Sequence, residues 1–202
     1  MSTALHIYAL KIWESRRVLH TVKSTKEHEE GEKRLRMQIR QYNSSDLVQS
    51  RSLWAEMVQR HRDIYNDPSI GGDNPGLEFD IHLERVGPQY IWLAEDKEEL
   101  VGLVSLILNE QQAEIEPIIV KSDYRGQGIG QKLLYHSIEQ AKKLNVLCLS
   151  VKPVARNLDA ISFFYNSGFK ALGQIELFMW LGDSTPFEWK KGLNLFGKSF
   201  DY

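Results

Sequence analysis

The sequence predicts an α/β (α+β) domain, a mixed and mostly antiparallel sheet flanked by helices on both faces. Three observations carry that expectation. Residues 90–120 hold three strand-like runs in succession, separated by short polar turns. A glycine-rich turn, Arg125-Gly126-Gln127-Gly128-Ile129-Gly130, then stands between the last of these runs and an amphipathic helical stretch. A short apolar run at 146–151 and a second helical stretch follow. A strand–helix–strand order makes the two strands candidates for parallel pairing. No internal repeat is visible, so the layout is not a repeated βαβ series.

In chain order, residues 1–36 hold neither a helical nor a strand period, and 21–36 are dense in charge; they read as an extension. MQIRQY, from Met37, alternates as a strand. Ser44-Ser45-Asp46 offers a helix cap before LVQSRSLWAEMVQRH, whose Leu47, Leu53, Trp54, Met57 and Val58 form an apolar stripe. Residues 67–76, with two prolines and three glycines, must form a loop, long enough to serve as a flap over a site. EFDIHLERV is read as a short helix, although Leu77, Phe79, Ile81 and Leu83 also alternate.

YIWLAED, LVGLVSLILN and QAEIEPIIV are the three strands, with Lys97-Glu98-Glu99 as a charged turn between the first two. Ile129, Leu133, Leu134, Ile138 and Ala141 mark the buried face of the next helix. The run 146–151 is apolar enough for a strand covered on both faces, with Cys148 as a buried small hydrophobe. Asn157 caps DAISFFYNS, and Gly168 suits a left-handed exit. Residues 169–181, broken at Gly173-Gln174, read as one hairpin or one bent strand, and the tail has no clear period. The expected organisation is an extension at 1–36, a domain at 37–181 and a tail at 182–202.

A formal net charge of −2 gives no argument for a nucleic-acid partner. One cysteine rules out an internal disulfide or a cysteine cage, and the six histidines make no metal spacing, so no metal is expected. No apolar run reaches transmembrane length, and MSTALHIYALKIWESRRVLH is charged too early for a secretory signal. A cytoplasmic protein without a membrane partner is the expectation; a homodimer is left open.

Glycines at alternate positions before a helix free backbone N–H groups to close on an anion, which also meets the positive helix end. No Lys-Ser or Lys-Thr pair follows them, so this is not a Walker loop, and the nicotinamide fingerprint fits badly because it opens a repeated βαβ unit. The anion suggested is a phosphate on some other ligand. Lys132, just beyond, suits a phosphate or solvent equally.

Residues 37–181 resemble the GNAT superfamily of acyl-CoA N-acyltransferases. IIVKSDYRGQGIGQKLL is similar to its pyrophosphate motif, through Arg125, Gly128 and Gly130, and ARNLDAISFFYNSGF to its later block, through Asn157, Ala160, Tyr165, Gly168 and Phe169. The resemblance implies acetyl-CoA as donor and an amine of a small molecule or peptide as acceptor, joined in a direct ternary complex. It also implies a V-shaped opening where the fourth and fifth strands splay. The residues implied to hold the cofactor are Ile118, Ile119, Val120, Arg125, Gly126, Gln127, Gly128, Ile129, Gly130, Gln131, Asn157, Ala160, Phe163 and Phe164. Tyr165 falls where the family keeps its general acid, though it also suits packing beside Phe163 and Phe164.

Glu114 and Glu116 alternate with Ile115 and so share one side of their strand. Either suits the family's base, a contact to a cationic acceptor, or solvent. Cys148 has no histidine near it in sequence, which argues against an acyl-cysteine route. Arg62, Asp63, Asp67 and Asp73 give the 62–76 loop a slightly acidic character suited to a cationic acceptor. A different class of function is also carried: a catalytically silent acyl-CoA-binding module whose extension recruits a partner.

Overall fold

The structure is a computed structural model and describes residues 37–181 and 189–202; the expectations for 1–36 and 182–188 lie outside the described residues. Its elements are β1 (Met37–Gln41), α1 (Leu47–Tyr65), α2 (Glu78–Val86), β2 (Ile91–Asp96), β3 (Glu99–Asn109), β4 (Gln112–Val120), α3 (Ile129–Lys143), β5 (Cys148–Ser150), α4 (Leu158–Asn166), β6 (Lys191–Leu195) and β7 (Lys198–Asp201). Strands β1-β2-β3-β4-β5 form one sheet in that order, and β6-β7 a separate hairpin. The helices and the candidate site lie within a unit made of Ile39–Glu95 and Glu99–Tyr202.

Entry into α1 is fixed by local polar chemistry. A 3-10 turn over Ser44–Asp46 is capped by Asn43, whose side chain accepts from the Ser45 N–H at 3.0 Å while Asp46 accepts from the Asn43 N–H at 2.8 Å. This is a capping box, begun one residue before the expected Ser44-Ser45-Asp46. Asp46 also takes two 2.8 Å bonds from the Arg40 guanidinium, which holds its carboxyl below the ordinary carboxylate range. Helix α1 exits through Asn66 in a left-handed conformation. Arg62 then donates to the carbonyls of Ile70 (2.8 Å) and Gly72 (2.6 Å), so the expected loop is a turn tied back onto α1.

Both faces of the sheet are covered, and β3 shows it. It is buried from Leu100 to Leu106 without interruption. Leu103 belongs to a core with Leu53, Trp54 and Val58 of α1 and Phe79 and Val86 of α2. Gly102 faces the other way, where an added Cβ would come within 2.8 Å of Leu133 of α3 and 2.9 Å of the Ile119 carbonyl. Glycine is required there by close approach, not by φ. Strand β4 pairs antiparallel with β3 and parallel with β5, as a crossover through α3 leads one to expect.

Three local expectations are corrected. Strand β5 is only three residues long, and Leu147 and Cys148 beside and within it are exposed, so Cys148 is not a buried hydrophobe. Residues 170–181 form no strand, and Leu177, Phe178 and Met179 lie in the open. The two findings share one cause, since a strand needs a neighbour's backbone groups and, among the described residues, β5 is paired with β4 alone. On α3 the buried face takes Ser137 where Ile138 was expected, the Ser137 hydroxyl donating to the Leu134 carbonyl at 2.8 Å. The β6-β7 hairpin escaped the sequence because its strands, KGLNL and KSFD, lack clean alternation. Arg156 donates to the Tyr202 carbonyl just beyond β7 at 3.0 Å.

His82 occupies a core position on the α2 stripe with Phe79 and Val86, its ring 4.8 Å from that of Trp54. Burial, reinforced by the Arg85 charge and only partly opposed by Glu116, lowers its pKa to about 4. The ordinary value is about 6.5, so the unfolded chain binds the extra proton first, and folding loses stability as pH falls from 6.5 towards 4. Between pH 7 and pH 5 this one group is expected to cost about 2 kcal/mol. His82→Gln, which cannot titrate, is expected to lose correspondingly less over that interval in urea unfolding; equal losses in the two proteins would assign the acid sensitivity elsewhere.

Candidate functional site

The site begins where a ladder stops. Strand β4 pairs with β5 only through Gln112–Cys148, Ala113–Leu149 and Glu114–Ser150. Beyond Ser150 the chain leaves the sheet, and residues 151–154 diverge from the rest of β4. The gap is a cavity of about 500 Å³ lined by 114–120 on one side and 151–154 on the other. Helix α1 adds Trp54, Met57, Arg60 and His61; α4 and its cap add Asn157, Asp159, Ala160 and Phe164; Arg125 enters from the glycine turn. This is the expected opening between the fourth and fifth strands.

Within that wall β4 carries a bulge. Register runs from Val104–Ile118 to Leu106–Ile115, so Glu116 and Pro117 together face Ser105. Pro117 has no N–H to give to a ladder, which suits it to this position. Both expected carboxylates reach the cavity wall. Glu114 is paired with Lys152 from the diverging segment, and Glu116 with Arg85 of α2 at 2.9 Å. Neither partner was anticipated, because nothing in sequence ties 85 or 152 to β4. Pro117 inside a strand that otherwise alternates was a legible signal for the bulge.

The glycine turn follows β4 directly. A 3-10 turn over Ser122–Tyr124 leads into Arg125, whose Nε donates to the Val120 carbonyl at 3.0 Å, and Gln127 donates to the Asp123 carbonyl at 3.1 Å. Gly126 and Gly128 have φ of +73° and +79°, and a Cβ on either would meet nothing within 4 Å. These two are required for their left-handed backbone, and the space beside them is open. Gly128 is the cap of α3 and brings no side chain to its first-turn N–H groups. Gly130 is different, since a Cβ there would lie 3.5 Å from Val120 and 3.7 Å from Phe163.

Of the residues expected to bind a cofactor, Ile118, Ile119, Val120, Arg125, Asn157, Ala160 and Phe164 line the cavity. Gly126, Gln127, Gly128, Ile129, Gly130 and Gln131 form the adjoining turn and first helical turn, with Ile129 buried, and Gln131 lies 3.4 Å from the Ser167 hydroxyl, which donates to the Phe163 carbonyl at 2.7 Å. Phe163 packs near Gly130 and edge-on to Phe164. Asn157 caps α4 as expected, accepting from the Ala160 N–H at 3.2 Å. Tyr165 stands apart from the lining residues, 54% exposed, with the Lys170 ammonium 5.1 Å from its ring centroid. Asp67, counted towards an acidic acceptor side, accepts from the Ser69 N–H and hydroxyl instead.

Electrostatically the wall is paired throughout. Besides the two glutamate pairs, Arg60 meets Asp159 at 2.8 Å, linking α1 to α4, and Arg125 lies 3.8 Å from Glu56. His61 is held below the ordinary histidine range by burial. Among the described residues no group of three or more His, Cys, Asp or Glu side chains is placed to hold a metal, and no helix is long and apolar enough to cross a membrane.

Comparison with known proteins bears on the fold and the family. A 67-residue stretch is 37% identical to an uncharacterized N-acetyltransferase of Methanocaldococcus jannaschii, covering 33% of this chain and 30% of that protein, so the chain spans under a third of the relative's length. Among solved structures, the PaiA N-acetyltransferase of Thermoplasma acidophilum in complex with coenzyme A superposes with a TM-score of 0.58 at 22% identity, over 69% of this chain and 92% of that one. A GNAT-family acetyltransferase of Staphylococcus aureus gives 0.56 at 20% identity, over 68% and 87%. At these identities the structural likeness speaks to the fold alone. The sequence pattern of the acetyltransferase (GNAT) family, however, matches residues 54–169, more than half of the chain and the whole of the cavity wall from Trp54 to Phe164, and the protein belongs to that family.

Proposed function

We propose that this protein transfers an acetyl group from acetyl-CoA to a primary amine within a ternary complex. The observation that carries the proposal is one shared cavity in which the parted β4 and β5 bring Glu114 and Glu116 together with Arg125 of the glycine turn. Space beside Gly126 and Gly128 suits a diphosphate, with Arg125 and the first-turn N–H groups of α3 as its partners. That the Thermoplasma neighbour was solved with coenzyme A supports the same choice. The thioester brings an activated acetyl group; the chain's task is to position it, deprotonate the amine and protonate the leaving thiolate.

Glu114 and Glu116 are the residues proposed to take the proton, directly or through water. Tyr165 is proposed as the acid on its place in the Tyr-x-x-Gly-Phe block, and that motif is its whole support. The ion pairs on both glutamates favour a second reading, a silent acyl-CoA-binding module, since each carboxylate already has a cation. Thiol release from acetyl-CoA across a panel of amines and peptide N-termini separates the two. Release with any acceptor supports the enzyme, whereas acetyl-CoA binding in calorimetry without release supports the module. No binding at all would end both.

Gly128→Asp places a negative charge in the open space at the α3 cap. Acetyl-CoA affinity is expected to fall at least about tenfold, near 1.4 kcal/mol, measured by calorimetry. Gly128→Asn has the same tolerance for a left-handed backbone without the charge and is expected to lose clearly less. Equal affinity in Gly128→Asp and the parent would leave the glycines a backbone role only.

Tyr165→Phe removes the hydroxyl and keeps the ring. Under general acid catalysis kcat is expected to fall by roughly 10²–10⁴, with acetyl-CoA affinity within about threefold of the parent. A kcat loss below about threefold, with chemistry shown to limit turnover, would remove Tyr165 from the mechanism.

A further inference from the structure

Behind the β4 bulge lies a polar chain whose inner members, Ser105 and His82, are buried and do not line the cavity. Ser105 is the β3 residue opposite Glu116 and Pro117, and it is fully buried. Its hydroxyl donates to the Glu116 carbonyl. His82 of α2, 4% exposed, has Nε2 at 2.8 Å from the same hydroxyl oxygen. Because the one hydroxyl hydrogen is given to the carbonyl, His82 must donate, which fixes the Nε2–H tautomer and leaves Nδ1 as an acceptor. An Arg85 terminal nitrogen lies 3.4 Å from Nδ1 and donates to Glu116 Oε1 at 2.9 Å. One nitrogen has two hydrogens, enough for both.

His82 and Arg85 are three residues apart and so share a face of α2. Through them one helix grips Glu116 twice, by its main chain through Ser105 and by its carboxylate through Arg85. We propose that His82 and Ser105 are positioning residues that set the Glu116 carboxylate at the cavity wall by holding the bulged backbone of β4. The bulge needs such a hold, since the β3–β4 register breaks there and Pro117 supplies no donor. The imidazole must be neutral to play this part, because a second ring proton would face the Arg85 guanidinium. Burial keeps it neutral, and Arg85 and Glu116 are the charged groups that act on it. The proposal rests on the acetyltransferase reading for its kinetic arm only.

Two matched pairs test it. Ser105→Thr and Ser105→Val have the same shape and differ by the hydroxyl; His82→Gln and His82→Met differ by the donor. With the best amine from the thiol-release panel, the Val and Met variants are expected to lose at least about tenfold in kcat while KM for acetyl-CoA stays within about threefold. Thr and Gln are expected to restore most of the turnover. Val equal to Thr in kcat would overturn the assignment of Ser105, and Met equal to Gln that of His82. If the parent protein releases no thiol with any amine, the functional reading has failed, and crystal structures of Ser105→Val and Ser105→Thr decide the positioning question alone. Separation of Glu116 from Arg85 in the Val protein only would support it; the same Glu116 placement in both would overturn it. Should the serine variants fail to fold, the His82 pair yields the same two outcomes.

Discussion

Strand β4 is bonded to β3 over its whole length, save one bulge, and to β5 over only its first three residues. That asymmetry is the constraint on which the site depends. The chain leaves β4 at Val120, turns through the glycines and returns along α3, and a helix of that length spans roughly 22 Å against roughly 30 Å for the strand. It therefore comes back near the start of β4, where the register with β5 begins at Gln112–Cys148. Among the described residues the far half of β4 has no strand beside it on that edge, and its side chains and those of 151–154 are left to line a cavity. The same geometry sets the start of α3 next to the opening. A glycine turn there meets whatever enters.

The sheet and its helices were legible in sequence because their signals are local and periodic. The stripe on α3, the three consecutive strands and the strand–helix–strand order needed no knowledge of the rest of the chain. The two site glutamates were legible for the same reason, since alternation along one strand puts Glu114 and Glu116 on one side. What the sequence could not give were pairings set by tertiary structure. Arg85 meets Glu116 across 31 positions and Lys152 meets Glu114 across 38, and neither separation leaves a pattern. His82 and Ser105 were open to suspicion, as polar residues at buried positions of an apolar stripe and an apolar strand, yet each alone reads as a tolerated core residue. Residues 146–151 and 170–181 show the opposite failure. Their composition suits strands, but a strand is made by its neighbour, and among the described residues β5 has none on its outer edge.

Charge at the cavity wall follows a common design. Glu114, Glu116, Asp159 and Arg125 each have an opposite charge within reach, so no strong unbalanced charge is stored there. These pairs are partly or largely exposed, and such pairs are worth only about 0–1 kcal/mol. Exchange at the wall is therefore cheap. A phosphate approaching Arg125 competes with a Glu56 contact at 3.8 Å, which is already beyond hydrogen-bond distance. An ammonium approaching Glu116 competes with Arg85, whose other contact is to His82 Nδ1 at 3.4 Å. The buried histidine and serine behind the strand cannot be exchanged in this way, because the bond between them is enclosed and leaving it unmade costs the full desolvation of its atoms. Replaceable ion pairs thus face the cavity, and a fixed hydrogen-bonded chain stands behind them, so Glu116 can change partners without changing place.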